Sequence, residues 1–191
     1  MPELAPRLAP LMDDELDDEQ EGMIARLRAE GDVSAVSRAW VRHPRSLRAF
    51  NGLAAHVFNP ESNTLPLRER EIVVLRTAWR CRSVYEWGRH LEIGRDAGLS
   101  DAEMDALKRE LPAHAWAESD AALIEAVDAL LAKFFIPDEI WLKLERHWAE
   151  QQCIDVMMTV GMYTLMGMFL NAARVPLESR FTSDPDFTLA V

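Results

Sequence analysis

Apolar side chains recur every three or four residues along most of this chain, which is the spacing of one buried face on an α-helix. Leu47, Phe50, Leu53 and Val57 are one example. No segment alternates apolar and polar residues as a half-buried strand does, and the helical segments follow one another across short turns. The pattern therefore predicts an all-α protein built as a helical bundle.

Residues that favour helix ends indicate where each predicted helix begins and ends. Gly31 and Gly98 are typical C-terminal caps, and Ser83 and Ser100 each precede a glutamate by three residues, as in a capping box. Pro44 suits the first turn of a helix. These features predict helices over residues 14–30, 33–41, 44–58, 66–79, 83–98, 100–110, 120–133, 137–150 and 151–173.

The longest apolar run, Val156 to Leu170, lies in the last predicted helix. It is shorter than the roughly 20 residues that a membrane-spanning helix needs, and Thr159, Tyr163 and Thr164 interrupt it. We therefore expect a buried helix. Its methionines are expected to pack in the core behind the candidate site rather than to contact a substrate.

Charge narrows the range of partners. The chain has 32 acidic and 21 basic residues, a formal net charge of −11, and a strongly acidic run over residues 13–19 that we interpret as a solvated helix start. A surface of this sign repels phosphate backbones and anionic lipids. We therefore expect neither a nucleic acid nor a membrane as partner.

The two cysteines, Cys81 and Cys153, are far apart and in no paired spacing. A disulfide framework or a zinc site needs closer pairs or accompanying histidines, so we expect two reduced thiols, no metal and a cytoplasmic protein. The N-terminal residues also lack the apolar stretch of a signal peptide.

Candidate chemistry is concentrated on two neighbouring predicted helices. Glu86 and His90 lie four residues apart and share a helix face, so the carboxylate can orient the imidazole for general acid–base work. Glu71 comes level with His90 if the chain reverses near residues 80–81, and Tyr85 lies at the same helix start. Simpler interpretations stay open: Glu86 completes the capping box of Ser83, the Glu–His pair lies on the surface, and Glu71 belongs to a solvated face.

Four segments of the chain resemble the carboxymuconolactone decarboxylase-like family, which shares a helical fold with the alkylhydroperoxidase D (AhpD) proteins. They are Leu65 to Arg76, the run Tyr85-Glu86-Trp87-Gly88-Arg89-His90, Ala97 to Ser100, and the stretch from Val160 through Asn171 to Val175, which is similar to the closing helix of the longer members. The resemblance covers residues 35–178, preceded by an arm and helix over 1–34 and followed by a tail over 179–191 that packs loosely or on a partner. It implies an AhpD-like bundle that assembles as a trimer or hexamer.

The two branches of this family imply different chemistry. In the peroxidase branch a glutamate, a C-x-x-C pair and a histidine form the active centre. Glu71 and His90 match the first and last, but the cysteine positions fall on Ser83 and Glu86. Cys81 is two residues out of register and has no second cysteine nearby. In the decarboxylase branch, Glu86 and His90 look like the counterparts of a glutamate and histidine that act without a cofactor.

Three hypotheses therefore stand. The first is a cofactor-free lyase (decarboxylase) or isomerase acting on a small carboxylated lactone or related acid. Its catalytic residues would be His90 as acid or base, Glu86 as the carboxylate that orients it, Glu71 as a second carboxylate, and Tyr85 as a hydrogen-bond donor. The second is a hydroperoxidase with peroxiredoxin-type activity, disfavoured by the missing C-x-x-C. The third is a family member that binds a small molecule without catalysis. A further expectation is that the closing helix does not assist the site, because Tyr163 is followed by Thr164 and Leu165 where many relatives have a polar residue or histidine.

Overall fold

Helices account for nearly all regular structure in this protein. The structure, a computed structural model, describes residues 5–29, 31, 33–111, 114–181 and 183–187, and within these ranges it contains nine α-helices and no strand. The helices are α1 (Asp18–Ala29), α2 (Ala35–Trp40), α3 (Pro44–Phe58), α4 (Leu67–Arg80), α5 (Val84–Asp96), α6 (Asp101–Ala106), α7 (Glu118–Lys133), α8 (Asp138–His147) and α9 (Glu150–Ala173). The predicted all-α class is confirmed.

Two predicted boundaries are wrong, each for a local reason. The first helix was expected from Asp14, but Asp17 and Gln20 exchange backbone-to-side-chain hydrogen bonds of 2.9 and 3.0 Å, so α1 begins at Asp18 after a short 3₁₀ turn. The sixth helix was expected to reach about residue 110. It ends at Ala106, and the carbonyl groups of Leu107 and Arg109 instead accept hydrogen bonds from the guanidinium group of Arg76. The predicted helix end at Glu30 lies outside the described residues.

Helix α4 runs through the middle of the bundle and packs against α5, α7 and α9. Its residues from Arg70 to Ala78 are all buried, so it has no solvent-facing side over that stretch. Arg76 is completely buried and forms a two-pronged ion pair with Asp128 of α7, with N–O distances of 2.8 and 2.6 Å. Such a paired, hydrogen-bonded charge fixes the position of α4 because every donor needs its partner.

Close approach of α4 and α5 depends on a glycine. A Cβ atom added at Gly94 would lie 3.2 Å from Cδ1 of Leu75 and 3.4 Å from the sulfur of Met104. The absence of a side chain therefore lets α5 lie flat against α4. The same face of α5 carries His90, one turn earlier, so this contact brings the histidine to α4.

Helix α9 differs from its prediction in length and in exposure. At 24 residues it is long and apolar enough to cross a bilayer, which overturns the length argument made from the run Val156 to Leu170. Half of its most apolar 18-residue stretch is buried inside the protein, as in the core helix of a globular fold. Asp155 of the same helix is also buried, and its carboxylate accepts a hydrogen bond from the backbone N–H of Thr64. Met162 is buried as expected, whereas three methionines expected in the core are exposed: Met157, Met158 and Met168.

The described part of the C-terminal tail packs on the bundle rather than loosely. Trp87 Nε1 donates to Asp184 at 3.1 Å, and the ring of Phe187 packs edge-on against Trp79 with ring centres 4.7 Å apart. Lys108 bridges to Asp184 at 2.8 Å. The boundaries proposed at residues 34 and 178 stay predictions.

Candidate acid–base site

Glu71 and His90 meet in the interior between α4 and α5. Oε2 of Glu71 lies 2.7 Å from Nδ1 of His90, and the two residues are only 1% and 4% exposed. The surface interpretations of both residues are therefore wrong. A buried carboxylate accepts hydrogen bonds and cannot donate, so Nδ1 of His90 carries its proton toward Glu71 and Nε2 is left facing the other way. The geometry gives the orienting role to Glu71, not to Glu86 as expected.

Glu86 lies on the opposite side of the imidazole. Its Oε2 is 3.5 Å from Nε2 of His90, one helical turn away on α5, and its side chain is 6% exposed. Ser83 accepts a hydrogen bond from the backbone N–H of Glu86 and so caps α5, but the reciprocal half of a capping box is not formed, because Ser83 N donates to the carbonyl group of Ala78. The carboxyl group of Glu86 is thus available for chemistry rather than used as a cap.

Tyr163 is a site residue that was not predicted from the sequence. Its hydroxyl group lies 3.0 Å from Nε2 of His90, and the two rings meet edge to face with centres 5.1 Å apart. The expectation that α9 would not assist the site is therefore wrong. The available clue was a tyrosine in the middle of an apolar run, since a buried phenol needs a polar partner.

Tyr85 does not join this hydrogen-bond chain. Its hydroxyl group donates instead to Oε1 of Glu178 in the C-terminal segment, at 2.8 Å, and the same carboxylate oxygen accepts from the backbone N–H of Ala35. Tyr85 still lines the cavity onto which Glu86, His90 and Tyr163 open. Of the four residues predicted for the site, the structure therefore brings together Glu71, Glu86 and His90 but not the phenol of Tyr85.

Burial and neighbouring charges raise the pKa values of His90, Glu86 and Tyr163. Burial opposes the charged form of His90, but the charge and hydrogen bond of Glu71, with the charge of Glu86, outweigh it and raise the pKa of His90 above 6.5. Burial raises the pKa of Glu86 above 4.5, helped by Glu71 and opposed by His90 and Arg89. Burial, followed by the two glutamates, raises the pKa of Tyr163 well above its ordinary range. The tyrosine therefore stays protonated and can donate.

A cavity of about 130 Å³ opens onto these residues from between α2 and α3 on one side and α5 and α9 on the other. That volume is close to the roughly 150 Å³ of an engineered cavity that holds one benzene molecule. Most of the lining is apolar or aromatic, with Trp40, Leu47, Phe50, Phe58, Met162 and Met166 as the large members. The polar lining includes Glu86, His90, Tyr163, Arg89 and Asn51. A single small ring is the size of molecule that this space accepts.

The positions that carry a thiol pair in the peroxidase branch are chemically different here. Ser83 is fully buried and its hydroxyl group caps α5. Cys81 lies outside the cavity lining, 4.0 Å from the hydroxyl group of Thr164, and burial raises the pKa of its thiol. A raised pKa lowers the thiolate fraction on which nucleophilic attack depends. Within the described part of the chain, no three side chains of His, Cys, Asp or Glu are grouped as metal ligands.

The arrangement is suited to moving a proton. Glu71 holds Nδ1 of His90, and Nε2 accepts from the hydroxyl group of Tyr163, which faces the cavity beside Glu86. When the imidazole gains a second proton, Nε2–H donates to the phenol oxygen and the phenol hydrogen turns to a bound molecule. The set can therefore deliver or remove one proton inside a mainly apolar cavity.

Comparison with known proteins agrees with the fold. Residues 44–128 match the profile of the carboxymuconolactone decarboxylase family, a segment that includes Glu71, Glu86 and His90. No curated protein matches the chain by sequence.

Solved structures share the whole architecture at low sequence identity. An uncharacterised peroxidase-related protein from Silicibacter sp. TM1040 superposes with a TM-score of 0.76 at 17% identity, covering 92% of this chain and 93% of that one. A second, from Ralstonia eutropha JMP134 and described as an alkylhydroperoxidase AhpD core, gives 0.75 at 16%, covering 93% and 95%. The debrominase Bmp8, solved in complex with 2,3,4-tribromopyrrole, gives 0.71 at 14%, covering 93% and 94%. At these identities the likeness shows the fold.

Proposed function

We propose that this chain, whose residues 44–128 match the carboxymuconolactone decarboxylase family and whose fold is AhpD-like, is a lyase or isomerase acting on a small carboxylated lactone or a related acid. One observation carries the proposal. A buried hydrogen-bond chain from Glu71 through His90 to Tyr163 ends at a cavity the size of one ring, beside a second buried carboxyl group on Glu86.

Decarboxylation in this cavity would proceed as follows. The bond between a ring carbon and its carboxylate breaks, carbon dioxide leaves, and the electron pair passes into the conjugated lactone as a dienolate. A proton from the Tyr163–His90 pair then adds to carbon, and solvent returns that proton to His90. Because the lactone carbonyl takes up the electrons, the reaction needs no metal or organic cofactor. The phenol hydrogen of Tyr163 stabilises the oxygen on which negative charge develops.

Isomerisation would use the Tyr163–His90 pair together with Glu86. Glu86, whose pKa is raised by burial, would remove a proton from one carbon of the lactone when ionised. The Tyr163–His90 pair would add a proton to another carbon, and solvent would then take the proton from Glu86 and return one to His90. No carbon dioxide is lost, so the two reactions differ in their products and in the use of Glu86.

The charge around the cavity supports a substrate with a carboxylate. Arg89 lines the cavity one position before His90, and its guanidinium group lies 5.9 Å from the ring centre of Tyr85 and 5.7 Å from that of Phe181. Its charge acts on Glu86, His90 and Tyr163, opposing the rise in the pKa of Glu86 and Tyr163. A guanidinium group is the side chain best matched to a planar carboxylate.

The decisive experiment offers the purified protein carboxymuconolactone and muconolactone in deuterated water. Carbon dioxide released in proportion to substrate lost identifies a decarboxylase, and deuterium incorporation at carbon without gas release identifies an isomerase. Thermal stabilisation by either lactone with no turnover would instead support the third hypothesis, a binding protein. No turnover and no stabilisation with both compounds would contradict the proposed substrate class.

We also propose that copies of the chain associate through α9, as a trimer or hexamer. The exposed apolar residues of α9 fall on one face at helical spacing: Ile154, Met157, Met158, Leu165 and Met168. A continuous exposed apolar face of this kind marks an interaction surface on a soluble protein. Light scattering after size-exclusion chromatography tests this, and a monomer at micromolar concentration would contradict it.

A further inference from the structure

Asn51 occupies an unexpected place on α3. Helix α3 buries the apolar side chains of Leu47, Phe50 and Ala54, and Asn51 lies next to them, partly exposed, in the lining of the cavity. Asparagine is an unfavourable residue inside a helix because its side chain competes for backbone hydrogen bonds. The position therefore carries a cost that an alanine or leucine would not.

No hydrogen bond within the described part of the protein explains why position 51 carries an amide. The side chain of Asn51 lines the cavity and makes no hydrogen bond to any residue in the described part of the chain. Asn171 is the natural comparison, because its amide donates to the carbonyl group of Cys81 at 2.9 Å and so has a structural partner. Asn51 is partly exposed, so solvent can reach its amide, and a molecule that displaces this solvent from the cavity must supply a hydrogen bond in its place.

The catalytic groups come from the other side of the cavity. Glu71 lies on α4, Glu86 and His90 on α5 and Tyr163 on α9, whereas Asn51 lies on α3. Between these helices the lining is apolar and aromatic, and the volume is about 130 Å³. A molecule that fills this space is a single ring with polar atoms at its edge. One of these polar atoms would contact the amide of Asn51, and the ring would face Tyr163 and His90.

We propose that Asn51 is a substrate-recognition residue, and that its amide N–H binds a carboxylate or carbonyl oxygen of a one-ring acid or lactone held in this cavity. The inference rests on the proposed function, since it assigns the substrate of the same site. It goes further in limiting the substrate to one ring and in naming a residue on α3 that fixes its orientation. A site built to hydrogen-bond an oxygen discriminates strongly against ligands that lack it.

The test uses binding rather than turnover, so that it can fail separately from the proposed reaction. Isothermal titration calorimetry measures the affinity of the wild-type protein for three probes: benzoate, a saturated γ-lactone bearing one carboxylate, and naphthoate as a two-ring comparison. The variant Asn51→Leu has nearly the same volume and no amide. Asn171→Leu is the matched control, because it makes the same change where the amide has a structural partner.

We expect Asn51→Leu to bind the one-ring probes about tenfold more weakly than wild type, the loss expected for one hydrogen bond. Its melting temperature should stay the same or rise by about 2 °C, because leucine favours the helix interior more than asparagine does. Asn171→Leu should lower the melting temperature and leave affinity unchanged. Naphthoate should bind worse than benzoate to the wild-type protein.

Three results would overturn the inference. Unchanged affinity in Asn51→Leu would show that the amide does not touch the ligand, and a lowered melting temperature in that variant would show that it is structural. A wild-type protein that binds neither one-ring probe would also overturn the assignment of the ligand class. Binding that depends on Asn51, without turnover of any lactone, would keep this inference and remove the proposed reaction.

Discussion

Nδ1 of His90 lies 2.7 Å from Oε2 of Glu71, although the two residues are nineteen positions apart and belong to different helices. This contact sets the tautomer of the imidazole and directs Nε2 to Tyr163 and Glu86. It also explains why two carboxyl groups can be buried so close together, because the shared imidazole offsets part of the cost of burying their charge. The contact therefore holds His90 with Glu71 on one side of its ring and Tyr163 and Glu86 on the other.

The two tyrosines of the chain offer a matched comparison. Tyr163→Phe removes the hydroxyl group on Nε2 of His90, and we expect kcat to fall by about 10²-fold with little change in KM. Tyr85→Phe removes a hydroxyl group that binds Glu178, so we expect kcat within a few-fold of wild type and a loss of about 1 kcal/mol in unfolding free energy. Steady-state kinetics and urea denaturation measure both. Equal loss of kcat in the two variants would show that Tyr85 is also catalytic.

Glu71 and Glu86 should differ in their effect on pH dependence. Glu71→Gln removes the charge and hydrogen bond that raise the pKa of His90, so the limb of the kcat/KM profile that reports the imidazole should move to lower pH. Glu86→Gln removes a carboxyl group that faces the cavity, so it should lower kcat and abolish the limb that reports that group. Two variants with superimposable profiles would contradict the separate roles assigned to these residues.

Stability should fall as the pH rises above about 6.5. The pKa of His90 is raised in the folded protein, so the folded state holds this proton more tightly than the unfolded chain. The resulting contribution is complete below the unfolded pKa and is lost as the pH rises through the folded one. The raised pKa of Glu86 has the same sign, beginning above 4.5. The double variant Glu71→Gln/His90→Gln should give a shallower slope in urea denaturation between about pH 6 and 9. A wild-type protein whose stability rises over that range would refute the assigned shifts.

Peroxide consumption should not depend on Cys81. Its thiol has a pKa raised by burial and lies outside the cavity lining, where it has no second cysteine within reach. We expect wild type and Cys81→Ser to consume organic hydroperoxide at the same low rate. A faster wild-type rate that the serine variant loses would instead establish the second hypothesis, a hydroperoxidase.

The sequence predicted the helices well because their ends are encoded locally. Ser83 and Ser100 cap α5 and α6 through their hydroxyl groups, and Gly31 and Gly98 adopt the positive φ angles of 85° and 99° that follow a helix. Spacing alone also indicated that Glu86 and His90 share a face. These features need only the nearest few residues, so a single chain is enough to read them.

The parts that were missed depend on contacts between distant segments. No local pattern indicates that Tyr163 reaches Nε2 of His90, 73 positions away, or that Glu178 binds the hydroxyl group of Tyr85, 93 positions away. Likewise, the exposure of Met157 and Met168 follows from which side of α9 faces the bundle, and a uniformly apolar helix does not specify that side. Packing decided each of these outcomes.

The most direct test of the central claim replaces His90, the residue that joins Glu71, Glu86 and Tyr163. His90→Gln and the matched control His43→Gln, at an exposed position, are assayed with carboxylated lactones in deuterated water, following carbon dioxide release and deuterium incorporation. Circular dichroism verifies the fold, and Glu71→Gln/His90→Gln serves if the single variant leaves a buried charge that unfolds it. We predict that turnover is abolished in His90→Gln and in the double variant and retained in His43→Gln. Turnover at the wild-type rate in folded His90→Gln would contradict the account.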